Sequence, residues 1–135
     1  MSRIRGRHTK PELLIRRGMH ALGFRYRLHV NDLPGKPDMV FPKYGAVVFI
    51  HGCFWHGHDC PLFREPTTNA EFWKRKIAAN RENDARKAGE LESSGWRILT
   101  VWECSIRGRQ KSVKEVLDRI AVWLLSSDPK GDVRG

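Results

Sequence analysis

The chain has 135 residues, a length that suits one domain around one hydrophobic core, and 25 Lys and Arg against 15 Asp and Glu leave a net charge of +10. That surplus, accompanied by five Trp, points to a polyanionic partner, nucleic acid above all, because each neutralised phosphate releases condensed counterions. No membrane span is expected, since no run of roughly 18 apolar residues occurs, and the polar start Met1–Arg5 and three cysteines argue against a secretory signal and a disulfide scaffold, so a reduced bacterial-type cytosol is the expected setting.

Residues 1–9 are basic and lack hydrophobic periodicity, so they read as an arm. Thr9-Lys10-Pro11-Glu12 has the chemistry of a helix start, with Thr9 as cap, Pro11 in the first turn and Glu12 at the capping-box position. Leu13, Leu14, Met19 and Leu22 form a helical stripe that Gly23 ends. Phe24 to Val30 alternates and predicts a strand with one basic face. After the turn Leu33–Pro37, Asp38–Phe41 begins a second strand, Pro42–Gly45 makes a hairpin turn, and Ala46–Ile50 is apolar enough to be central and buried on both faces.

A Cys/His-rich segment follows, then a loop from Pro61 to Pro66. A long helix is predicted from about Asn69 to Ser93, with an apolar stripe through Phe72, Ile77 and Leu91, and Gly95 stops it. Trp96–Trp102 predicts another buried strand. Val113–Leu125 predicts a last helix with stripe Val113, Val116, Leu117, Ile120 and Leu124, and the polar tail from Ser126 is expected to fray. The order helix, three strands, helix, strand, helix predicts an α/β sandwich on a small mixed sheet. A single domain over 10–126 is expected, between the arm and a flexible tail at 127–135.

Cys53-Phe54-Trp55-His56-Gly57-His58-Asp59-Cys60 carries the densest chemistry in the chain. Cys53, His58 and Cys60, joined by the distant Cys104, supply a Cys₃His set of the kind zinc takes in closed, structural sites. Zinc would pin an irregular loop that has little core of its own. His56 competes with His58 for the fourth position, and Cys104 has the alternative of being an ordinary buried thiol.

A second constellation is Asp38, His51, His56 and Glu12. One carboxylate with phosphate oxygens and a carbonyl suits a hard cation such as Mg²⁺, and a near-neutral imidazole can take a proton from an attacking water. From spacing alone, Asp38 as a turn residue, Glu12 as a cap partner and His51 as a core residue are equally good readings. The aromatic pair Phe54-Trp55 can wedge between base steps or pack inward. On the long helix, Lys74, Lys76, Arg81 and Arg86 suit phosphates and Asn80 a base edge, or else they form a solvated face.

Pro34-Gly35-Lys36-Pro37-Asp38, the run Val48 to Cys60, Phe72-Trp73, Asn80, Asp84, Gly95-Trp96 and Val101-Trp102-Glu103-Cys104 together resemble the very short patch repair (Vsr) endonucleases, in order over nearly the whole chain. The resemblance implies a restriction-endonuclease-like three-layer sandwich related to the PD-(D/E)xK nucleases, with a structural zinc site. It implies Mg²⁺-dependent nicking of double-stranded DNA beside the thymine of a T:G mismatch, leaving a 5′-phosphate, by a monomer.

Carried over by residue, Asp38 and the main-chain carbonyl of Ile50 resemble the Mg²⁺ ligands. His51 stands where related nucleases have lysine, His56 resembles the water-activating histidine, and Glu12 resembles the glutamate that orders the hydrated metal. Cys53, His58, Cys60 and Cys104 match the zinc ligands, which favours His58 over His56. Met1, Phe54 and Trp55 resemble the intercalating residues, and Lys76 and Asn80 fall where the family touches the mismatched pair. Met1 stands at the wedge position, so the family's usual N-terminal extension is expected to be missing, and Asp59 departs from relatives with another His there. The alternatives are a related nicking or restriction-type endonuclease that ignores mismatches, and a zinc-stabilised DNA-binding module without catalysis.

Overall fold

The computed structural model describes residues 10–28, 30, 32–52, 67–106 and 113–134. Its elements are α1 (Lys10–Ala21), β1 (Met39–Phe41), β2 (Ala46–His51), α2 (Ala70–Ser93), β3 (Arg97–Trp102), α3 (Val113–Leu125) and β4 (Lys130–Val133). The strands form one sheet in the order β1-β2-β3-β4. β1 runs antiparallel to β2, and the other two pairings are parallel. The register sets Met39 opposite Val48, Val47 beside Ile98 and Leu99 beside Gly131.

Alternate residues of the strands face opposite layers. Met39, Phe41, Ala46, Val48, Leu99 and Val101 pack with Ile15 and Met19 of α1 and with Val116, Ile120 and Leu124 of α3. Val40, Val47 and Ile98 pack with Leu91 and Ala88 of α2 on the other side. Three layers result, helices over both faces of a small mixed sheet. α1 and α3 approach so closely at Gly18 that a Cβ there would lie 2.2 Å from a Leu117 methyl.

Two helix C-termini follow the expected chemistry, while the expected cap Thr9 lies outside the described residues. Gly23, at φ +98, donates to His20 while Phe24 donates to Met19, and Gly95, at φ +90, repeats the arrangement with Glu92 and Leu91. Left-handed backbone at these two stops carries no Cβ penalty because both residues are glycine.

Four expectations need correction. On the first helix the core face runs through Ile15 and Met19, while Leu14 and Leu22 of the expected stripe are exposed. Among the described residues of Phe24–Val30 no strand forms: one isolated antiparallel bridge, Arg27 to Val40, stands in place of a ladder. β1 has only three residues, ended by Pro42 entering a 3-10 turn, so it offers little edge to pair with. The alternation is still expressed, with Phe24, Tyr26 and Leu28 packed on the core and Arg25 and Arg27 exposed. On α2, Ile77 and Leu91 are buried but Phe72 is 52% exposed, edge-on to Trp73. Residues 130–133, expected to fray, add β4 beside β3 with Val133 buried. Main-chain bonding recruits this tail, which its polar side chains do not announce.

Arg97, at the start of β3, ties that end of the molecule together. Its guanidinium lies 4.3 Å from the Trp123 ring centroid and donates to the carbonyls of Trp123 at 2.7 Å, Leu124 at 3.1 Å and Asp128 at 2.9 Å. These oxygens include the orphan acceptors at the C-terminus of α3, where a cation is also favoured by the helix dipole. Arg97→Ala is expected to cost about 2–4 kcal/mol in urea unfolding, and Arg97→Lys to recover less than half of it, because an ammonium cannot reproduce the planar fork.

Candidate active site

β1 and β2 bring the acidic and imidazole residues to one end of the sheet. Asp38 immediately precedes β1, and its amide donates to the Val48 carbonyl at 3.0 Å. Its carboxylate Oδ2 accepts the Ile50 amide at 2.6 Å, so the side chain is held against the outgoing end of β2. His51, the last residue of β2, is half-buried. Its ring lies 5.2 Å from that of Trp102 and 5.6 Å from that of Phe49. Parallel pairing sets His51 beside Trp102, which explains why two strand ends meet there.

These groups line a cavity of about 600 Å³ between the sheet and α2. Asp38, Ile50 and His51 form one wall with Trp102, and Arg81, Asp84 and Lys87 of α2 stand on the other. Asp84 and Trp102, to which the sequence assigned no role in the site, line the cavity as well. Lys36, exposed and at the lip of the cavity, was also given no role.

Glu12 reaches the site from the α1 side and is buried, 4% exposed, with Arg16 one helical turn later at 6%. Burial pushes the Asp38 carboxyl up from 3.8 to about 7. The Ile50 amide bond opposes the rise, the Glu12 carboxylate adds to it, and the Arg16 guanidinium opposes it again. Glu12 is thus more than a surface cap partner. Arg16 is an electrostatic neighbour of Asp38 that sequence reasoning missed, and its i,i+4 spacing from Glu12 was the available signal.

The remaining expected residues divide into two groups. Lys76 is exposed and Asn80 half-buried on α2, eight and four residues before the cavity-lining Asp84 and on the same face of the helix. Cys104 is buried in the 3-10 turn Glu103–Ser105 that follows β3. Met1, Cys53, Phe54, Trp55, His56, His58 and Cys60 lie outside the described residues. Among the described residues no group of three or more His, Cys, Asp or Glu is arranged to hold a metal ion. The donor chemistry nevertheless fits a hard cation, because a buried carboxylate whose ionisation is disfavoured is stabilised by a nearby positive charge. Three thiols and an imidazole likewise fit zinc by ligand type.

Residues 1–62 match the family model described as DNA mismatch endonuclease Vsr. The chain is 46% identical over 106 residues to a type II nicking enzyme of Xanthomonas oryzae pv. oryzae, covering 78% of each protein. It is 43% identical over 125 residues to the DNA mismatch endonuclease Vsr of Escherichia coli, covering 92% of this chain and 80% of that one. A type II nicking enzyme of Neisseria meningitidis is 41% identical, with 89% and 91% covered.

The raised Asp38 pKa has a consequence for stability. The folded state binds more protons than the unfolded state between pH 3.8 and about 7, so stability falls as pH rises through that window and the penalty is complete above it. The shift corresponds to at most about 4 kcal/mol. Asp38→Asn, which keeps an oxygen acceptor for Ile50, is expected to stabilise the protein in EDTA at pH 8 and to make little difference at pH 4. Urea denaturation at both values measures this, and equal effects at the two would contradict it.

Proposed function

The chain belongs to the Vsr family of DNA mismatch endonucleases, and from that membership we propose that it nicks one strand of double-stranded DNA beside the thymine of a T:G mismatch, leaving a 5′-phosphate. It is a DNA endonuclease, and no helix among the described residues is long and apolar enough to cross a membrane. The observation that carries the reading is the convergence of Asp38, Ile50 and His51 on one cavity whose opposite wall bears Arg81 and Lys87. An acid, an imidazole and cations in one cleft suit hydrolysis of a phosphodiester better than simple DNA binding.

In this reading Asp38 and the Ile50 carbonyl hold Mg²⁺, with Glu12 ordering the water around it from the α1 side. When bound, the ion offsets charge developing on the phosphoryl oxygens. His56 takes a proton from the attacking water, whose oxygen bonds to phosphorus in line as the 3′-oxygen departs. His51, braced between the rings of Phe49 and Trp102, orients the phosphate. Cys53, His58, Cys60 and Cys104 hold a structural zinc that shapes the loop, and Met1, Phe54 and Trp55 wedge beside the mismatch. Lys76 and Asn80 touch the mismatched pair. The protein acts as a cytoplasmic monomer.

A second reading has a specific observation behind it, because the Xanthomonas and Neisseria relatives are named type II nicking enzymes. In that reading this chain cuts one strand at a recognition sequence with no strict need of a mismatch. Family membership weighs against the non-catalytic DNA-binding module. Nicking of matched, T:G and other mismatched duplexes with varied flanks separates the first two, and nicking confined to T:G duplexes in Mg²⁺ is the expected result. His56→Ala is expected to lose about 10²–10⁴-fold in single-turnover nicking while still binding DNA; an unchanged rate removes His56 from its role. Metal analysis is expected to find one zinc per chain, and Cys104→Ser to release it and lower the melting temperature. A native protein free of zinc would overturn the assignment.

A further inference from the structure

The turn before Asp38 has an unusual backbone. Gly35 stands at φ +77 and Lys36 at φ +50, so two successive residues are left-handed. Glycine takes that region freely, whereas lysine does so at a cost, and a residue before proline is normally driven to extended backbone. Lys36 is one of two non-glycine residues with positive φ among those described. Such a conformation persists only where its surroundings hold it, and it gathers at functional sites.

The surroundings here are visible. A Cβ on Gly35 would sit 3.2 Å from the Phe49 ring and 3.3 Å from the Lys87 Cβ, so the turn is wedged between β2 and α2. The Lys36 amide is tied to the Leu33 carbonyl at 3.2 Å. Pro37, buried, follows directly, and then Asp38. The ordering carries the Lys36 side chain to the lip of the cavity that Asp38 lines, facing Arg81 and Lys87 of α2. Among the described residues, Lys36 has no ion-pair partner. A cation held at strained backbone, exposed and two residues from the candidate metal-binding carboxylate is poorly explained by folding alone, since any small turn residue would serve folding better.

We propose that Lys36 contacts a backbone phosphate of the strand to be cut and positions that strand over Asp38, with Lys87 and Arg81 completing a cationic rim around the cleft. The proposal rests on the reading of the Asp38 cleft as the active site. Its chemistry is that of a point charge on a phosphate oxygen, which reads no sequence and sets register. Lys36 therefore acts on mismatched and matched duplexes alike, and specificity remains with other residues.

The test uses the whole protein and three variants. Lys36→Asn removes the charge but tolerates left-handed backbone better than lysine, so its melting temperature is expected to hold or rise. Its DNA affinity is expected to depend less steeply on salt, with the slope of log K against log salt shallower by about one. At saturating DNA its single-turnover nicking is expected to fall about tenfold, the loss of one positioning contact worth about 1.4 kcal/mol. Lys36→Arg is expected to restore both slope and rate. An Asn variant with an unchanged salt slope, or with an unchanged rate at saturation, overturns the positioning role. Asp38→Ala serves as the separate control, expected to abolish nicking and keep the full salt slope. Nicking by that variant at the wild-type rate would remove the active-site reading itself, and the role of Lys36 with it.

Discussion

A single hydrogen bond, from the Ile50 amide to the Asp38 carboxylate at 2.6 Å, carries the site. It joins the residue that opens the β1–β2 hairpin to the residue that nearly closes it. The antiparallel register between Met39–Phe41 and Ala46–Val48 is what brings the two together. The carboxylate is thereby drawn out of water, and most of its chemistry follows from that. Burial raises its proton affinity, the Glu12 carboxylate raises it further, and the Ile50 amide and the Arg16 guanidinium hold it in check. A group in this balance is a poor contributor to stability and a good receiver of positive charge, the exchange of stability for activity expected of a working site.

The rest of the fold supports that bond from both sides. α1 and α3 pack on one face of the sheet, and α1 brings Glu12 and Arg16 to the Asp38 end. α2 packs on the other face through Leu91 and Ala88, and its middle stretch walls the cavity with Arg81, Asp84 and Lys87. The Asp38 carboxylate and the cations Arg81 and Lys87 therefore reach the cleft from opposite sides, on different elements. Parallel pairing of β2 with β3 adds Trp102 beside His51, giving the imidazole an aromatic edge to rest against. At the opposite end of β3, Arg97 gathers the close of α3 and the start of the tail, so β3 organises both ends of the molecule.

Much of this was legible in the chain. The extents of α2 and α3 followed from periodicity, with Gly95 marking the stop of α2, because helix boundaries are local events governed by capping and backbone freedom. β2 was recognisable as central, since a nearly unbroken apolar run needs cover on both faces. Asp38 and His51 were named as candidates, though spacing alone could not separate them from a turn residue and a core residue. The strand at Phe24–Val30 was misread because its alternation is real while its partner β1 is too short to complete a ladder. Arg16 and Lys36 escaped notice, being common residues whose meaning lies in what surrounds them.

Amino-acid order by itself determined the charge that favours DNA, the three helices, the central strands and the family pattern around Asp38 and the Cys/His segment, because these depend on composition, short-range periodicity and motif spacing. Only the tertiary structure decided that Glu12 and Arg16 act on Asp38 from one side while Arg81 and Lys87 face it from the other. It alone decided that Lys36 is held in a left-handed turn and that a polar tail becomes β4. The physical reason is the same in each case: burial, field and strain arise between residues distant in the chain, and main-chain bonding to a strand edge leaves little trace in side-chain pattern.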